Sequence, residues 1–117
     1  MPSPNDFSSL EAGDLVWVDL DPVLGGEQAG RRPALVVTTR DYHQISRLCL
    51  LAPISSNAGP WPFKYILPAG LAVSGAVLVD QLRSVDRASR IKKRIGGVPP
   101  DVLAEVKAKL AATLNID

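Results

Sequence analysis

Short runs of alternating apolar and polar residues along the chain predict β-strands. Residues 14–20, Asp-Leu-Val-Trp-Val-Asp-Leu, alternate as a half-buried strand does, and residues 34–38, Ala-Leu-Val-Val-Thr, are apolar and β-branched. Turn-forming Pro, Gly and Asn residues separate such runs, which predicts strands at 14–20, 33–39, 47–54, 63–67, 75–79, 83–86 and 91–96. Because no helical pattern alternates with these strands, we expect a mainly β fold: an antiparallel sheet curled into a small, partly open barrel.

The end of the chain carries a helical pattern instead. After Pro99 and Pro100, apolar residues recur at helical spacing, namely Val102, Leu103, Val106, Leu110 and Leu114. We therefore expect a C-terminal helix whose apolar face packs on the barrel or on a second subunit. The length of 117 residues suits a single domain, 1–117, and the Pro-, Ser- and Asn-rich residues 1–9 are expected to be flexible.

Composition narrows the chemistry that the chain can perform. Its one cysteine, Cys49, lies in an apolar run and is expected to be a buried thiol. Its one histidine, His43, lies in a polar stretch and is expected to be exposed in a loop. A mechanism that needs two histidines of one subunit is therefore excluded. The acids are scattered and no His or Cys cluster accompanies them, so we expect no metal and no cofactor.

Targeting signals are also missing from the sequence. Residues 1–10 contain no basic residue and no apolar core, so they do not resemble a secretory signal. No apolar run approaches the length of a membrane span. We expect a cytoplasmic protein.

Charge is distributed unevenly, although the formal net charge is only +1. Residues 1–30 contain six acids and no Lys or Arg, whereas residues 31–94 contain eleven bases and three acids. The bases are densest between residues 83 and 94, where we expect a stripe that neutralises phosphates: Arg83, Arg87, Arg90, Lys92, Lys93 and Arg94. A solvated β-ribbon is the alternative interpretation of this stripe.

A glycine-rich loop between the first two predicted strands carries the strongest candidate for a reactive site. Residues 25–33 read Gly-Gly-Glu-Gln-Ala-Gly-Arg-Arg-Pro. Glycines let the backbone approach a ligand, and a planar guanidinium suits a phosphate. RNA carries its own nucleophile, the 2′-hydroxyl, so Glu27 as a base and Arg32 as a clamp are the plausible pair for cleaving a phosphodiester. The alternative is a surface hairpin loop with an ordinary ion pair.

Four motifs, taken together, resemble the MazF/PemK toxins of bacterial toxin-antitoxin modules. They are Gly-Asp-Leu-Val-Trp-Val-Asp-Leu-Asp-Pro at 13–22, Gly-Glu-Gln-Ala-Gly-Arg-Arg-Pro at 26–33, Ala-Pro-Ile-Ser-Ser-Asn at 52–57 and Val-Asp-Gln-Leu-Arg-Ser-Val-Asp at 79–86. They occur in the family's order and spacing, and the resemblance extends from Gly13 to Leu114. It implies an endoribonuclease toxin, an mRNA interferase, with a mainly β fold that has short helices and a barrel of the MazF/PemK/CcdB type.

The resemblance also implies roles for residues of the candidate site. Arg32 matches the family's central catalytic arginine, Glu27 matches an acid invoked as the base in some members, and Ser55 stands where the family has a catalytic threonine. These matches imply cleavage of single-stranded RNA without a metal ion, by attack of the 2′-hydroxyl, leaving a 2′,3′-cyclic phosphate and a 5′-hydroxyl. The family further implies a homodimer with RNA in a groove at the shared interface, and a cognate MazE-like antitoxin whose acidic, disordered tail competes for that groove.

RNA recognition is expected in the loop of residues 55–64, which joins polar amides to two aromatic residues. Single-stranded RNA is read by stacking bases on aromatic rings and by hydrogen bonds to base edges, which Trp61, Asn57 and Gln28 can provide. Phe63 is expected to be a core or dimer residue instead, and the same alternative stays open for Trp61. Further groove residues predicted from their position and charge are Gln81, Arg83 and Arg87.

Two other functions remain open from the sequence. A gyrase-directed toxin of the CcdB type shares the barrel but uses a tryptophan near its C-terminus, whereas the last tryptophan here is Trp61. A non-catalytic barrel that binds nucleic acid or peptide, and in which Arg32 only holds a phosphate, uses the same residues as an enzyme.

Overall fold

Seven strands and three helices make up the described part of the chain. The computed structural model describes residues 6–21, 30–57 and 59–116. The strands are β1 (Asp14–Asp19), β2 (Arg31–Val36), β3 (Leu48–Ser55), β4 (Lys64–Ile66), β5 (Ala76–Leu78), β6 (Arg83–Asp86) and β7 (Ile91–Gly97). The helices are α1 (Arg40–Ile45), α2 (Arg87–Arg90) and α3 (Pro100–Leu114), and a 3-10 turn covers Val79–Gln81.

The strands form one antiparallel sheet that does not close. Its order is β4-β5-β3-β2-β1-β7, and β6 lies off this path, paired with β3. All of these pairings are antiparallel. The prediction of a mainly β fold, with an open antiparallel sheet and a C-terminal helix, is confirmed.

Apolar side chains are buried on both faces of this sheet, because successive residues of a strand point to opposite faces. In β1, Val16 belongs to one buried cluster and Leu15 belongs to the other. The cluster of Leu15 also contains Val106 of α3, so the helix packs on the sheet as one of the two predicted arrangements requires. Ala34 of β2 belongs to the cluster of Val16. Arg32, two residues earlier on β2, therefore lies on the face of the sheet opposite α3.

Two short helices precede α3, which confirms a mainly β fold with short helices. No local sequence pattern predicts their positions, which are Arg87–Arg90 (α2) and Arg40–Ile45 (α1). Thr39 caps this helix, since its Oγ1 accepts a hydrogen bond from the backbone N of Tyr42 at 3.3 Å. A single capped turn is too short to show an amphipathic period in the sequence. None of the helices in the described ranges combines the length and the apolar character that crossing a bilayer requires.

His43 is buried in α1, so the prediction that it is exposed in a loop is wrong. Only 1% of the residue is exposed. Its Nδ1 lies 2.8 Å from the carbonyl O of Leu10, and its Nε2 lies 2.7 Å from the Oγ1 of Thr38. Burial lowers the pKa of His43, because the charged ring would lose hydration. The ring thus ties α1 to the N-terminal segment and to the end of β2.

Cys49 of β3 is fully buried, as predicted. Burial raises the pKa of its thiol to about 11. The thiol therefore stays protonated near neutral pH and packs as a small apolar side chain.

Candidate active site

The strand register brings Arg32 and Ser55 to the same end of the β2–β3 ladder. Ala34 of β2 pairs with Pro53 of β3 as the last pair of that ladder, and Arg32 and Ser55 each lie two positions beyond it on their strands. The guanidinium lies close by, since its Nη1 donates to the carbonyl O of Ile54 at 3.4 Å. Arg32 is half-buried and Ser55 is buried, so their interactions with a ligand would be stronger than in bulk water. Two of the three predicted catalytic residues therefore share one place in the fold.

Ser55 ends β3, and the turn that follows holds its hydroxyl. The Oγ accepts a hydrogen bond from the backbone N of Asn57 at 3.1 Å. The hydroxyl is the acceptor in that bond, so its own hydrogen can be donated to an oxygen of a ligand. Only 8% of Ser55 is exposed, so a ligand would reach it from the cleft beside it.

A cleft of about 410 Å³ opens beside Ser55. Its lining combines an aromatic ring with amide, carboxylate and ammonium groups and consists of Ser55, Asn57, Pro60, Trp61, Lys64, Leu78, Asp80 and Gln81. Trp61 is 51% exposed, and its indole packs edge-on against half-buried Phe63, with ring centroids 5.5 Å apart. The structure thus gathers Asn57, Trp61 and Gln81, which are predicted to bind RNA, around the predicted catalytic Ser55.

Lys64 and Asp80 hold the loop that carries Trp61. The Nζ of Lys64 donates to the carbonyl O of Asn57 at 2.9 Å and to that of Gly59 at 3.4 Å. The Nε1 of Trp61 donates to the Oδ2 of Asp80 at 3.1 Å. The sequence motifs assign no role to Lys64 or Asp80. The available signal for Asp80 is its position as the first polar residue after an apolar strand.

Arg83 lies on the same face of the sheet as Arg32. It pairs with Leu51 of β3, whose side chain belongs to the cluster on the face opposite α3. Its Nη1 donates to the carbonyl O of Leu20 at 3.0 Å, and the residue is half-buried. Arg83 therefore braces the chain just after β1, close to where residues 22–29 begin.

Arg87, which is also predicted to bind RNA, lies apart from this group. Only 6% of Arg87 is exposed. Its Nε donates to the carbonyl O of Asp6 at 3.1 Å, and its Nη1 donates to the carbonyl oxygens of Ser46 and Leu48. The three carbonyl acceptors of its own chain give this buried guanidinium a structural role. These bonds also anchor residue 6, while residues 1–5 of the segment expected to be flexible lie outside the described residues.

The other bases of the predicted stripe take separate positions. The Nη1 of Arg90 donates to the carbonyl O of Asp21, and the Nε of Arg94 lies 3.1 Å from the Oδ1 of Asp14. Lys92 and Lys93 are exposed on β7. The stripe predicted over residues 83–94 is therefore divided between internal contacts and solvent.

Glu27 and Gln28, predicted as the base and as an RNA contact, lie outside the described residues. The chain on either side of them is described. The backbone N of Leu20 donates to the carbonyl O of Gly30 at 3.0 Å, and the backbone N of Gly30 donates to the Oδ1 of Asp21 at 2.9 Å. These bonds fix both ends of the segment next to β2, which begins one residue before Arg32.

The functional groups of the site form two regions. Arg32 and the Ser55 hydroxyl form a region that can hold a phosphate, because a guanidinium and an O–H both donate to phosphate oxygens. Trp61 and the polar groups around it form a region that can hold a base. Over residues 6–21, 30–57 and 59–116, no three His, Cys, Asp or Glu side chains come together as a metal-binding group.

Comparison with known proteins finds relatives over almost the whole chain. Residues 11–114 match the family of PemK-like, MazF-like toxins of type II toxin-antitoxin systems. The chain is 38% identical over 100 residues to the endoribonuclease toxin MazF of Escherichia coli K12, a match that covers 86% of this chain and 89% of the relative. It is 34% identical over 117 residues to the endoribonuclease PemK of Escherichia coli, with 92% and 84% covered.

Solved structures show the same fold. A crystal structure of MazF from Deinococcus radiodurans superposes with a TM-score of 0.86 at 44% identity, covering 92% of this chain and 98% of that one. A MazE–MazF complex from the same organism gives a TM-score of 0.78 at 38% identity, with 93% and 98% covered. The matched residues include every strand of the sheet, the cleft and α3.

Proposed function

The chain belongs to the family of PemK-like, MazF-like toxins of type II toxin-antitoxin systems, and we propose that it is a sequence-specific endoribonuclease toxin. The observation that carries this proposal is that Arg32 donates to the carbonyl of Ile54, the residue before Ser55, while Ser55 lines a cleft that exposes Trp61. Such a site can hold a phosphate next to a stacked base of single-stranded RNA. The E. coli relatives at 38% and 34% identity are named endoribonucleases, which supports the same activity here.

The proposed reaction uses the 2′-hydroxyl of the RNA as its nucleophile. This hydroxyl loses its proton to a base and attacks the adjacent phosphorus, and the bond between the phosphorus and the 5′-oxygen breaks as that oxygen takes up a proton. The products are a 2′,3′-cyclic phosphate and a 5′-hydroxyl. Glu27 is the proposed base on the strength of the sequence.

Arg32 and Ser55 stabilise the transition state in this proposal. Charge builds up on the non-bridging oxygens when the phosphorus becomes pentacoordinate. The Arg32 guanidinium can bind two of these oxygens, and the Ser55 hydroxyl can donate to one of them. Because the substrate provides the nucleophile and Arg32 provides the positive charge, the reaction needs no metal ion.

The proposal includes two protein partners. Solved MazE–MazF complexes of Deinococcus radiodurans support a cognate MazE-like antitoxin for this chain. An acidic, disordered antitoxin tail would compete with RNA for Arg32 and the cleft by charge. We further propose a homodimer with RNA along a groove at the shared interface, acting in the cytoplasm.

Mapping the ends of RNA fragments tests this function. Purified, antitoxin-free protein is incubated with a long, largely unstructured RNA in EDTA, and both new ends at each cut are identified. We expect cuts at one short sequence, with 5′-hydroxyl and 2′,3′-cyclic phosphate ends. Intact RNA from folded protein would contradict the proposal and favour a non-catalytic binding barrel or a protein-directed toxin of the CcdB type.

A further inference from the structure

A carboxylate lies in the part of the cleft that is suited to a base. Asp80 is exposed in the lining, within the described residues, together with Trp61, Asn57 and Gln81. A carboxylate at this position repels a phosphate, whereas the Arg32 guanidinium attracts one. We therefore expect the RNA backbone to lie nearer Arg32 than Asp80 and a base to lie beside Asp80.

The contact between Asp80 and Trp61 sets the geometry of this base subsite. The Oδ2 of Asp80 accepts from the Nε1 of Trp61 at 3.1 Å, so the carboxylate lies at the edge of the indole. Phe63 contacts the same indole edge-on, at an interplanar angle of 60°. The indole is thus held from two directions while 51% of its residue remains exposed. A base that stacks on it would have its own edge beside Asp80.

We propose that Asp80 is a specificity-determining residue that selects a base with an exocyclic amino group at the position stacked on Trp61. This inference rests on the proposed endoribonuclease function. A carboxylate has two oxygens and several lone pairs, so Asp80 can hold the indole and still accept from a base. Cytosine, adenine and guanine each present an amino group to such an acceptor. Uracil presents one N–H between two carbonyl oxygens, which the carboxylate repels.

Lys64 supports this selection by fixing another part of the cleft lining, the backbone near Asn57. Its ammonium bridges the carbonyl oxygens of Asn57 and Gly59, while the Oδ1 of Asn57 accepts from the backbone N of Gly59 at 3.0 Å. These bonds therefore fix the backbone at Asn57 and Gly59 in the absence of RNA. A preformed cleft can discriminate between bases because it need not reorganise to accept the wrong one.

Cleavage of a set of short oligoribonucleotides tests the proposal. The set varies each position around the cut in turn, and single-turnover rates are measured for the wild type, Asp80→Asn and Asp41→Asn. Asp80→Asn keeps the size of the side chain and an oxygen for the indole but adds N–H donors. Asp41→Asn is the matched control, because it makes the same charge change on an exposed residue of α1.

We expect one position at which the wild type prefers an amino-bearing base to uracil by roughly tenfold. Asp80→Asn should reduce that preference to within about twofold while preferences at other positions persist, and Asp41→Asn should change nothing. An unchanged preference would overturn the proposal. So would an equal loss of rate on every sequence, which would place Asp80 in the chemistry or in folding rather than in base selection.

Binding without cleavage separates this inference from the proposed function. In a Trp17→Phe background, the fluorescence of Trp61 is followed as 2′-O-methyl oligocytidine or oligouridine is added, and neither oligonucleotide can be cleaved at its blocked 2′-oxygen. We expect tighter binding of oligocytidine, and loss of that difference in Asp80→Asn. Failure of the wild type to cut RNA would overturn the function alone, whereas equal affinity for the two oligonucleotides would overturn the base selection alone.

Discussion

Position 55 carries a serine where the resemblance to MazF/PemK toxins leads one to expect a threonine. Threonine has a methyl group that restricts rotation about χ1, and serine lacks it. Here the backbone N of Asn57 donates to the Oγ of Ser55 at 3.1 Å and restrains the hydroxyl in another way. The hydroxyl can therefore act without the methyl group.

Substitution of Ser55 tests that role. Ser55→Ala should lower kcat by about 100-fold with little change in KM, because the lost hydrogen bond is made mainly to the transition state. Ser55→Thr should retain most of the activity, since it keeps the hydroxyl. Steady-state kinetics on one oligoribonucleotide give both values, and a similar kcat for Ala and Thr would show that the hydroxyl has no part in the reaction.

His43 should make the stability of the protein depend on pH. Burial lowers its pKa in the folded state, so the unfolded chain binds its proton at a higher pH than the folded chain does. The free energy of unfolding should therefore be fully retained above about 6.5 and should decrease as the pH falls below that value. Urea denaturation across this range should show the decrease in the wild type and a flatter profile in His43→Gln. Parallel profiles would assign the decrease to other groups.

Among the secondary-structure elements, β5 fixes the position of Ser55 with the help of Gly75, the residue just before β5. Ala76 pairs with Ser55, and Gly75 has a φ of +128°. A Cβ at Gly75 would collide with the carbonyl O of Ser55. Glycine at this position thus lets the two backbones approach closely at the end of β3.

Gly75→Ala should lower both stability and kcat, because the added methyl group must push the Ser55 backbone toward β2 and so displace its hydroxyl relative to Arg32. Gly70→Ala is the matched control: Gly70 also has a positive φ, +92°, but nothing lies within 4 Å of the position that a Cβ would take. We expect a stability loss of roughly 1–2 kcal/mol in the control without a change in kcat. Thermal unfolding and cleavage kinetics provide the comparison, and equal kcat values for the two variants would contradict this account of Gly75.

Some elements can be predicted from local sequence patterns, whereas contacts between distant residues cannot. The alternation in β1 and the helical spacing of α3 predict both elements, because each has one consistent period over its whole length. Arg32 and Ser55 are predicted from motifs, but their meeting depends on the register between β2 and β3, which no local pattern encodes. The burial of Arg87 and His43 cannot be predicted from a local pattern either, because their partners, such as Asp6 and Leu10, are distant in the chain.

Across the molecule as a whole, the two faces of the sheet have different roles. Arg32 and Arg83 lie on the face opposite α3. Lys93 pairs with Trp17, which lies on the same face of β1 as Leu15. Leu15 belongs to the cluster that contains Val106 of α3, so Lys93 lies on the face that α3 covers. RNA bound at the proposed site should therefore use the first face and leave Lys93 in solvent.

The salt dependence of RNA binding tests which face is used. If Arg83 contacts one phosphate, Arg83→Ala should reduce the slope of log K against log salt by about 0.7, the value for one contact with a single strand. Lys93→Ala removes a charge from the other face and should leave the slope unchanged. Titrations of a 2′-O-methyl oligonucleotide at several salt concentrations give the slopes. A larger effect for Lys93→Ala than for Arg83→Ala would contradict this prediction and place the RNA on the face that α3 covers.

The central claim is that Arg32, beside Ser55, makes this fold a ribonuclease rather than a protein that only binds RNA. The most direct measurement compares cleavage and binding of one oligoribonucleotide by the wild type, Arg32→Ala and Arg40→Ala, the last being an exposed arginine at the start of α1. We predict that Arg32→Ala loses cleavage by at least about 100-fold yet still binds RNA measurably, while Arg40→Ala matches the wild type. Cleavage that persists in folded Arg32→Ala would contradict the claim.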